Sequence, residues 1–160
     1  MEGPDGSIWI IPQSGSLFRI NPANHDDIKS IHFGQNITLL SACFTQSGDI
    51  LLGTQENIRI IKIEGDTLIT LGTIEGFNYS GVTEIHKLKE KDTYLAGTNG
   101  NGLFRLSMSD QGNTLERLND REELEYLDVH SISEDSESSY WISTNESGAI
   151  RLHLSEKDGS

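Results

Sequence analysis

The side chains best suited to binding chemistry in this 160-residue sequence are amides, acids and aromatics in short polar turns and connections. Asn99 and Asn101 flank a glycine in one turn, and Asn145 precedes Glu146 in a later one. Two longer connections add the remaining candidates: Phe77, Asn78, Tyr79 and Tyr126. Amides and carboxylates bind sugar hydroxyls, and an aromatic face stacks on a pyranose ring. This combination suits a carbohydrate.

Turn geometry is the competing explanation for the asparagines. Asn-Gly is the preferred two-residue hairpin turn because both residues tolerate positive φ, so the turn at Asn99 needs no ligand to explain it. Phe77 and Tyr79 lie in the longest connection. For them, packing and binding are both open, because loops carry function disproportionately.

Catalytic and metal-binding patterns are not visible in the sequence. The five histidines lack metal-ligand spacing, and His86 and His130 fall at non-equivalent positions of their repeats. The acidic run 134–137 lacks the spacing of a calcium loop and indicates a solvated turn. No nucleophile elbow or phosphate loop is present. We therefore predict no catalytic residues, no metal and no cofactor.

A repeated cassette must position these residues. A short apolar strand, a polar turn and a second strand recur four times, at 5–20, 48–63, 92–106 and 139–154. The last residues of the four first strands are Pro12, Thr54, Thr98 and Thr144, which are 42, 44 and 46 residues apart. Such a period predicts an array of structural units.

Each complete unit contains four predicted strands, and four strands in 40 to 45 residues is the size of a β-propeller blade. Blades are covered on both faces, so their strands form continuous apolar runs, as ILLGT, YLAGT and YWIST do. We predict a polar loop from Pro22 to Asp27 and at most one helical turn, within 120–126. The fold class is all-β.

Residues near the marker threonines predict how blades pack. Gly53, Gly97 and Ser143 precede these threonines and would let adjacent sheets approach closely. Trp9 and Trp141 occupy one register, where a large apolar residue would fill the gap between blades. We expect both tryptophans in the core.

The predicted units are approximately 1–36, 37–81, 82–126 and 127–160 of a single β-propeller fragment. The first unit lacks its innermost strand and the fourth lacks its outermost strand. We therefore expect three to four blades in an open arc cut from a larger ring, with exposed blade edges that favour self-association.

The net charge of the chain argues against two classes of partner, nucleic acids and anionic membranes. Twelve basic and 25 acidic residues give a net charge of −13, which repels phosphate backbones and anionic lipids. Nucleic acid and direct membrane contact are therefore not expected. Cys43 is alone, so no intramolecular disulfide is possible.

The segments VTEIHKLKEKDTYLAGTNGNGLFRL and DVHSISEDSESSYWISTNESGAIRL resemble the two-component regulator propeller repeat. This resemblance implies the sensor region of a bacterial hybrid two-component histidine kinase, in the periplasm or otherwise outside the cytoplasmic membrane. It also implies a response to carbohydrates or other polymer-breakdown products. The chain itself has no kinase part and would sense without catalysis.

Two other functions remain open from the sequence. Streptogramin-type lyases are propellers whose repeats resemble DGSIWIIPQSGSLFRI, but such a lyase needs a histidine and carboxylates around magnesium. A protein interaction scaffold is the third reading. Saturable binding of an oligosaccharide or other small molecule would favour the sensor.

Overall fold

The computed structural model describes residues 1–13, 16–32, 37–78, 80–118 and 122–154. These residues form four antiparallel sheets, each a meander in which consecutive strands pair. Within the described residues, no helix has the length and apolar character needed to cross a membrane.

The first and second sheets contain three and four strands. Sheet 1 consists of β1 (Ile8–Ile10), β2 (Ser16–Asn21) and β3 (Asn24–His32). Sheet 2 consists of β4 (Leu39–Phe44), β5 (Ile50–Thr54), β6 (Ile58–Glu64) and β7 (Thr67–Ile74).

The third and fourth sheets contain four and three strands. Sheet 3 consists of β8 (Val82–Lys87), β9 (Thr93–Thr98), β10 (Leu103–Ser107) and β11 (Thr114–Leu118). Sheet 4 consists of β12 (Val129–Glu134), β13 (Tyr140–Thr144) and β14 (Ala149–Leu152). Among the described residues, sheet 1 thus has no innermost strand of the four-strand pattern, and sheet 4 has no outermost one.

Two local predictions differ from the structure in detail. The predicted loop from Pro22 to Asp27 is wrong, because β3 already begins at Asn24. The turn is this short because the Asn21 side-chain carbonyl accepts the Ala23 amide hydrogen at 3.0 Å and closes it locally. The predicted helical turn is one short 3₁₀ segment, Glu122–Leu124.

Three apolar clusters hold the sheets together, and each one joins two consecutive sheets. The first contains Trp9 and Leu52, the second Leu51 and Tyr94, and the third Leu95 with residues of sheet 4. Strands β5 and β9 are buried on both faces, as their continuous apolar runs predicted.

The glycines before the marker threonines allow the close approach that the sequence predicted. A Cβ on Gly97 would lie 2.7 Å from Val129 Cβ, and a Cβ on Gly53 would lie 2.5 Å from the Val82 carbonyl oxygen. Both contacts are closer than side chains tolerate. Hydroxyls join the same sheets, because Thr83 Oγ1 donates to the Val129 carbonyl at 2.6 Å.

The two tryptophans differ, and the prediction that both lie in the core is wrong for one of them. Trp9 is 3% exposed and meets Phe44 of sheet 2 edge to face, with ring centroids 5.9 Å apart. Trp141 is 42% exposed, because its face of sheet 4 has no following sheet among the described residues. The register was predicted correctly, but the neighbour that would bury Trp141 is absent from this arrangement.

The four sheets form an open arc. Within the described part of the chain, each apolar cluster bridges neighbouring sheets and none bridges sheets 1 and 4. The outward faces of these two terminal sheets keep large apolar side chains partly exposed: Ile8, Ile10, Ile28 and Trp141.

Candidate ligand-binding loop face

The predicted site residues within the described ranges lie on one side of the arc, beside the ends of β5, β9 and β13. We define the loop face as residues 55–57, 77–78, 80–81, 99–102, 124–128 and 145–147. Backbone hydrogen bonds tie these segments across sheet boundaries. The Asn99 amide donates to the Gly81 carbonyl at 2.9 Å, and the Gly100 and Gly102 amides donate to the Leu127 carbonyl at 3.2 Å. These backbone hydrogen bonds therefore join segments 80–81, 99–102 and 124–128 of the loop face to one another.

The marker threonines close the hairpins of this surface. Thr98 Oγ1 donates to the Gly102 carbonyl at 2.8 Å, and the Thr98 amide donates to the same oxygen at 3.1 Å. Thr144 repeats the arrangement on the Gly148 carbonyl at 3.0 and 2.9 Å. These paired bonds explain the repeated threonine, because its hydroxyl and its amide both donate to the carbonyl oxygen at the end of the turn.

Gly102 meets the connection from 124 to 128 at a point where a side chain has no room. Its φ is +79°, a conformation that favours glycine, and an added Cβ would lie 2.9 Å from the Glu125 carbonyl oxygen. The connection that carries Tyr126 is therefore held directly against the Asn99 turn.

Two of the predicted binding residues are structural. Phe77 is completely buried and packs edge to face on Phe104 at a centroid distance of 5.1 Å, so its ring is inaccessible to a ligand. Asn101 is 9% exposed, and its side-chain amide donates to the Phe77 carbonyl at 3.1 Å. The prediction of direct binding is wrong for both, because the connection folds inward and the Asn101 amide is used to hold it.

Four other predicted residues are exposed on the loop face: Asn78, Asn99, Asn145 and Glu146. Asn78 has φ 51°, which an asparagine tolerates better than most residues. The Asn145 side chain donates to Asp128 Oδ2 at 2.8 Å, which fixes the amide. Tyr79 lies outside the described residues.

Tyr126 is the large aromatic side chain of this surface and is 73% exposed. Arg117 lies beside it, with its guanidinium carbon 5.7 Å from the ring centroid. The Arg117 Nε donates to the Asn101 carbonyl at 3.2 Å, and Nη2 donates to the Glu125 carbonyl. Arg117 thus supports both the ring and the turn, and sequence analysis missed it because one arginine in a strand carries no pattern.

The acidic run 134–137 lies on the side of the arc opposite the loop face, and the Asp135 carboxylate stabilises the turn between β12 and β13. Asp135 Oδ1 accepts the amide hydrogens of Glu137 and Ser139, both at 2.9 Å. Its other oxygen accepts from Trp141 Nε1 at 3.0 Å and from Arg151. The Ser139 amide hydrogen bond holds the pKa of Asp135 below its usual value.

Cys43 and His86, which have nucleophilic and acid–base side chains, are partly buried in the packing between strands. Burial raises the pKa of the Cys43 thiol to about 11, so little thiolate forms at neutral pH. His86 packs against the Tyr140 ring at 5.8 Å, and burial lowers its pKa. Among the described side chains, no three His, Cys, Asp or Glu residues converge to hold a metal ion.

Comparison with solved structures identifies the architecture. The chain superposes on the β-propeller domain of Cps50 (Swd1) from Myceliophteria thermophila with a TM-score of 0.64, 15% identity and 94% of the chain covered. The fold is that of β-propeller blades. The extracellular domain of a hybrid two component system from B. thetaiotaomicron matches over 97% of the chain, with a TM-score of 0.67 and 20% identity. This is the class of protein that the sequence resemblance named.

An enzyme shares the fold as well. A catalytically inactive virginiamycin B lyase from Staphylococcus aureus, crystallised with quinupristin, matches 98% of the chain with a TM-score of 0.65 and 13% identity. No protein-family model and no curated protein matches the chain in sequence. The chain spans 21% of the two-component domain, 55% of the lyase and 51% of the Cps50 domain.

Proposed function

We propose that this chain is a non-catalytic, ligand-sensing group of propeller blades from the extracytoplasmic region of a hybrid two-component sensor histidine kinase. The observation that carries the proposal is the loop face, where one exposed aromatic ring and exposed amides, one of them fixed by a carboxylate, stand on turns that backbone hydrogen bonds join between sheets 3 and 4. The fold similarity to an extracellular two-component domain supports the same reading. The location outside the cytoplasmic membrane is part of the proposal.

A carbohydrate is the ligand class that the chemistry of this surface favours. Tyr126 offers a ring face braced by Arg117, and a pyranose ring has an apolar face that stacks on such a side chain. Asn99 and Asn145 offer amide groups that bind hydroxyls as donor and acceptor. Because Asp128 already orients Asn145, this amide would lose little rotamer freedom on binding.

The side chains argue for binding over lyase chemistry. Lyase activity of the kind considered from the sequence needs a histidine and carboxylates around magnesium. His86 packs on Tyr140, and the Asp135 carboxylate accepts backbone hydrogen bonds within a turn. The packing of His86 and the hydrogen bonds of Asp135 support binding over lyase chemistry.

Titration calorimetry against a panel of soluble oligosaccharides tests the proposal. We expect saturable binding to at least one of them and a loss of about tenfold for Tyr126→Ala, a size within the range of about 1 to 3 kcal/mol known for nucleobases stacked on aromatic side chains. Asn145→Ala should weaken the same ligand.

Two matched variants control for general surface effects. Leu71→Ala removes an exposed apolar side chain from β7. Asn113→Ala removes an exposed amide on the side of the arc opposite the loop face. Both should bind like the wild type. Equal losses in these controls, or no binding by the wild type to any oligosaccharide, would overturn the proposed carbohydrate site.

A further inference from the structure

The connections that lead into sheets 3 and 4 have equivalent positions in the repeat. Segment 77–81 comes directly before β8, and segment 124–128 comes directly before β12. Phe77 and Leu124 each lie four residues before the end of their segment, and both are completely buried. Because the two connections are copies of one element, a side chain that only one of them carries is not required by the repeat itself.

A backbone hydrogen bond ties each connection to the hairpin turn of the sheet that it enters. The Asn99 amide donates to the Gly81 carbonyl at 2.9 Å, and the Asn145 amide donates to the Asp128 carbonyl at 3.2 Å. Both asparagines come directly after a marker threonine. At Gly81 this bond forms beside a residue with no side chain, so the turn does not need a carboxylate there. The Asp128 carboxylate is therefore an addition to the repeat at the junction of sheets 3 and 4.

The added carboxylate lies on a short, anchored stretch that also carries the exposed ring. Its Oδ2 accepts the side-chain amide hydrogen of Asn145 at 2.8 Å. Asp128 is partly exposed, and Tyr126, two residues before it, is 73% exposed. Leu127, between them, is 5% exposed, and its carbonyl accepts two backbone hydrogen bonds. A ring face, a carboxylate and an oriented amide thus share one fixed part of the loop face.

The exposure of these groups does not depend on where the described sheets end. Tyr126 and Asp128 lie between sheets 3 and 4, and both sheets are described. Asn99 is the equivalent of Asn145, and it stays exposed although segment 124–128 is bonded to its turn. A connection placed in the same way against the Asn145 turn would leave that amide open as well.

The chemistry of a carboxylate at this place favours neutral sugars. An ionised carboxylate only accepts hydrogen bonds and has about four acceptor sites, of which Asn145 uses one. Two adjacent sugar hydroxyls can donate to the same carboxylate, and bonds to an ionised acceptor are stronger than bonds between neutral groups. A uronic acid brings its own negative charge, which Asp128 and the exposed Glu146 of the neighbouring turn would repel. The net charge of −13 acts in the same direction.

Starting from the carbohydrate site proposed above, on which this step rests, we propose that the Asp128 carboxylate is a direct ligand contact. It accepts two adjacent hydroxyl groups of the sugar that stacks on Tyr126. The ligand class is thereby a neutral oligosaccharide with free adjacent hydroxyls on that sugar, and polymers of uronic acids are rejected.

Titration calorimetry with matched tetrasaccharides tests this contact. The neutral probes are cellotetraose, mannotetraose and xylotetraose, and the acidic probe is tetragalacturonic acid. We expect the wild type to bind at least one neutral probe and to bind the acidic probe about tenfold more weakly or less. Asp128→Asn should weaken the neutral probe by about tenfold and reduce the difference between neutral and acidic probes. Asp110→Asn removes an exposed carboxylate between β10 and β11, on the side opposite the loop face, and should bind like the wild type.

The asparagine variant separates a direct contact from a positioning role. Its side-chain carbonyl can still accept the Asn145 amide hydrogen, so Asn145 stays oriented while the charge at position 128 is lost. Wild-type affinity in Asp128→Asn, with a loss in Asp128→Ala alone, would assign Asp128 to positioning and overturn the proposal. So would a wild type that binds no neutral probe or binds the acidic probe equally well, whereas the carbohydrate site falls only if no oligosaccharide of the wider panel binds. Circular dichroism of each variant checks that the fold is intact.

Discussion

Replacement of Gly97 by alanine tests whether the close packing of sheets 3 and 4 requires a residue without a side chain at this position. The added Cβ would lie 2.7 Å from Val129 Cβ, and closer still to one of its methyl groups. Carbon atoms prefer about 3.5 to 4.0 Å, so sheets 3 and 4 would have to separate by about 1 Å. The Thr83 hydroxyl, which donates to the Val129 carbonyl at 2.6 Å, holds that strand in place and opposes the shift.

The magnitude follows from the cost of overpacking. Extra methylene groups in a packed core cost about 1 to 3 kcal/mol, and a gap of about 1 Å forfeits up to half of the dispersion attraction along its lining. We therefore expect a loss near the upper end, about 3 kcal/mol in the free energy of unfolding. For a domain of this size, that loss corresponds to a fall in Tm of about 6 to 12 °C.

Thermal and urea unfolding followed by circular dichroism measure this change. Gly72→Ala is the control, because Gly72 lies in β7 and an added Cβ there would meet no atom within 4 Å. It should stay within about 0.5 kcal/mol of the wild type. Gly53→Ala, at the equivalent position of sheet 2, should behave like Gly97→Ala. Wild-type stability in Gly97→Ala, or an equal loss in Gly72→Ala, would refute the reasoning.

Three further predictions concern the hairpin threonines, the loop face and an inner-strand histidine. Thr98→Val should lower the free energy of unfolding, measured in urea, by about 1 kcal/mol. Thr144→Val should lower it less, because Thr98 is fully buried and Thr144 is partly exposed. Equal effects of the two variants would contradict this prediction. Phe77→Ala should cost about 3 to 5 kcal/mol in the same assay, whereas Tyr126→Ala should stay under about 1 kcal/mol; a mild Phe77→Ala would show that the ring is not a core anchor. Burial lowers the pKa of His86 from 6.5, so the folded protein binds this proton less readily than the unfolded chain, and the free energy of unfolding falls as pH drops below about 6.5. His86→Gln should therefore reduce the difference in Tm between pH 7.5 and pH 5.5. An unchanged difference would assign the pH dependence to other groups.

The four-fold repeat was readable from the sequence because the strand pattern depends on local chemistry. Apolar runs on both faces, glycine-rich turns and marker threonines recur at a nearly constant period, and each predicted strand has a counterpart in the structure. The spacing glycines were identified for the same reason. A position that needs close backbone approach excludes side chains wherever the repeat occurs, as at Gly53 and Gly97.

The loop face was predicted as a group of segments but not residue by residue. Gly81, Asn99 and Leu127 meet through backbone atoms, and turn sequences at equivalent repeat positions indicate that neighbourhood. The roles within it were not readable. Phe77 and Tyr126 are both aromatics in connections between sheets, yet one is completely buried and the other is 73% exposed.

The sequence by itself determined the strands, their order, the blade size and the residues that let blades approach, because each of these depends on near neighbours in the chain. Only the tertiary structure decided which equivalent positions are buried. Trp9 and Trp141 share a register, but sheet 2 covers Trp9 while no described sheet covers Trp141. Burial at such a position depends on a surface distant in sequence or in another molecule, and a local pattern carries no record of whether that surface is present.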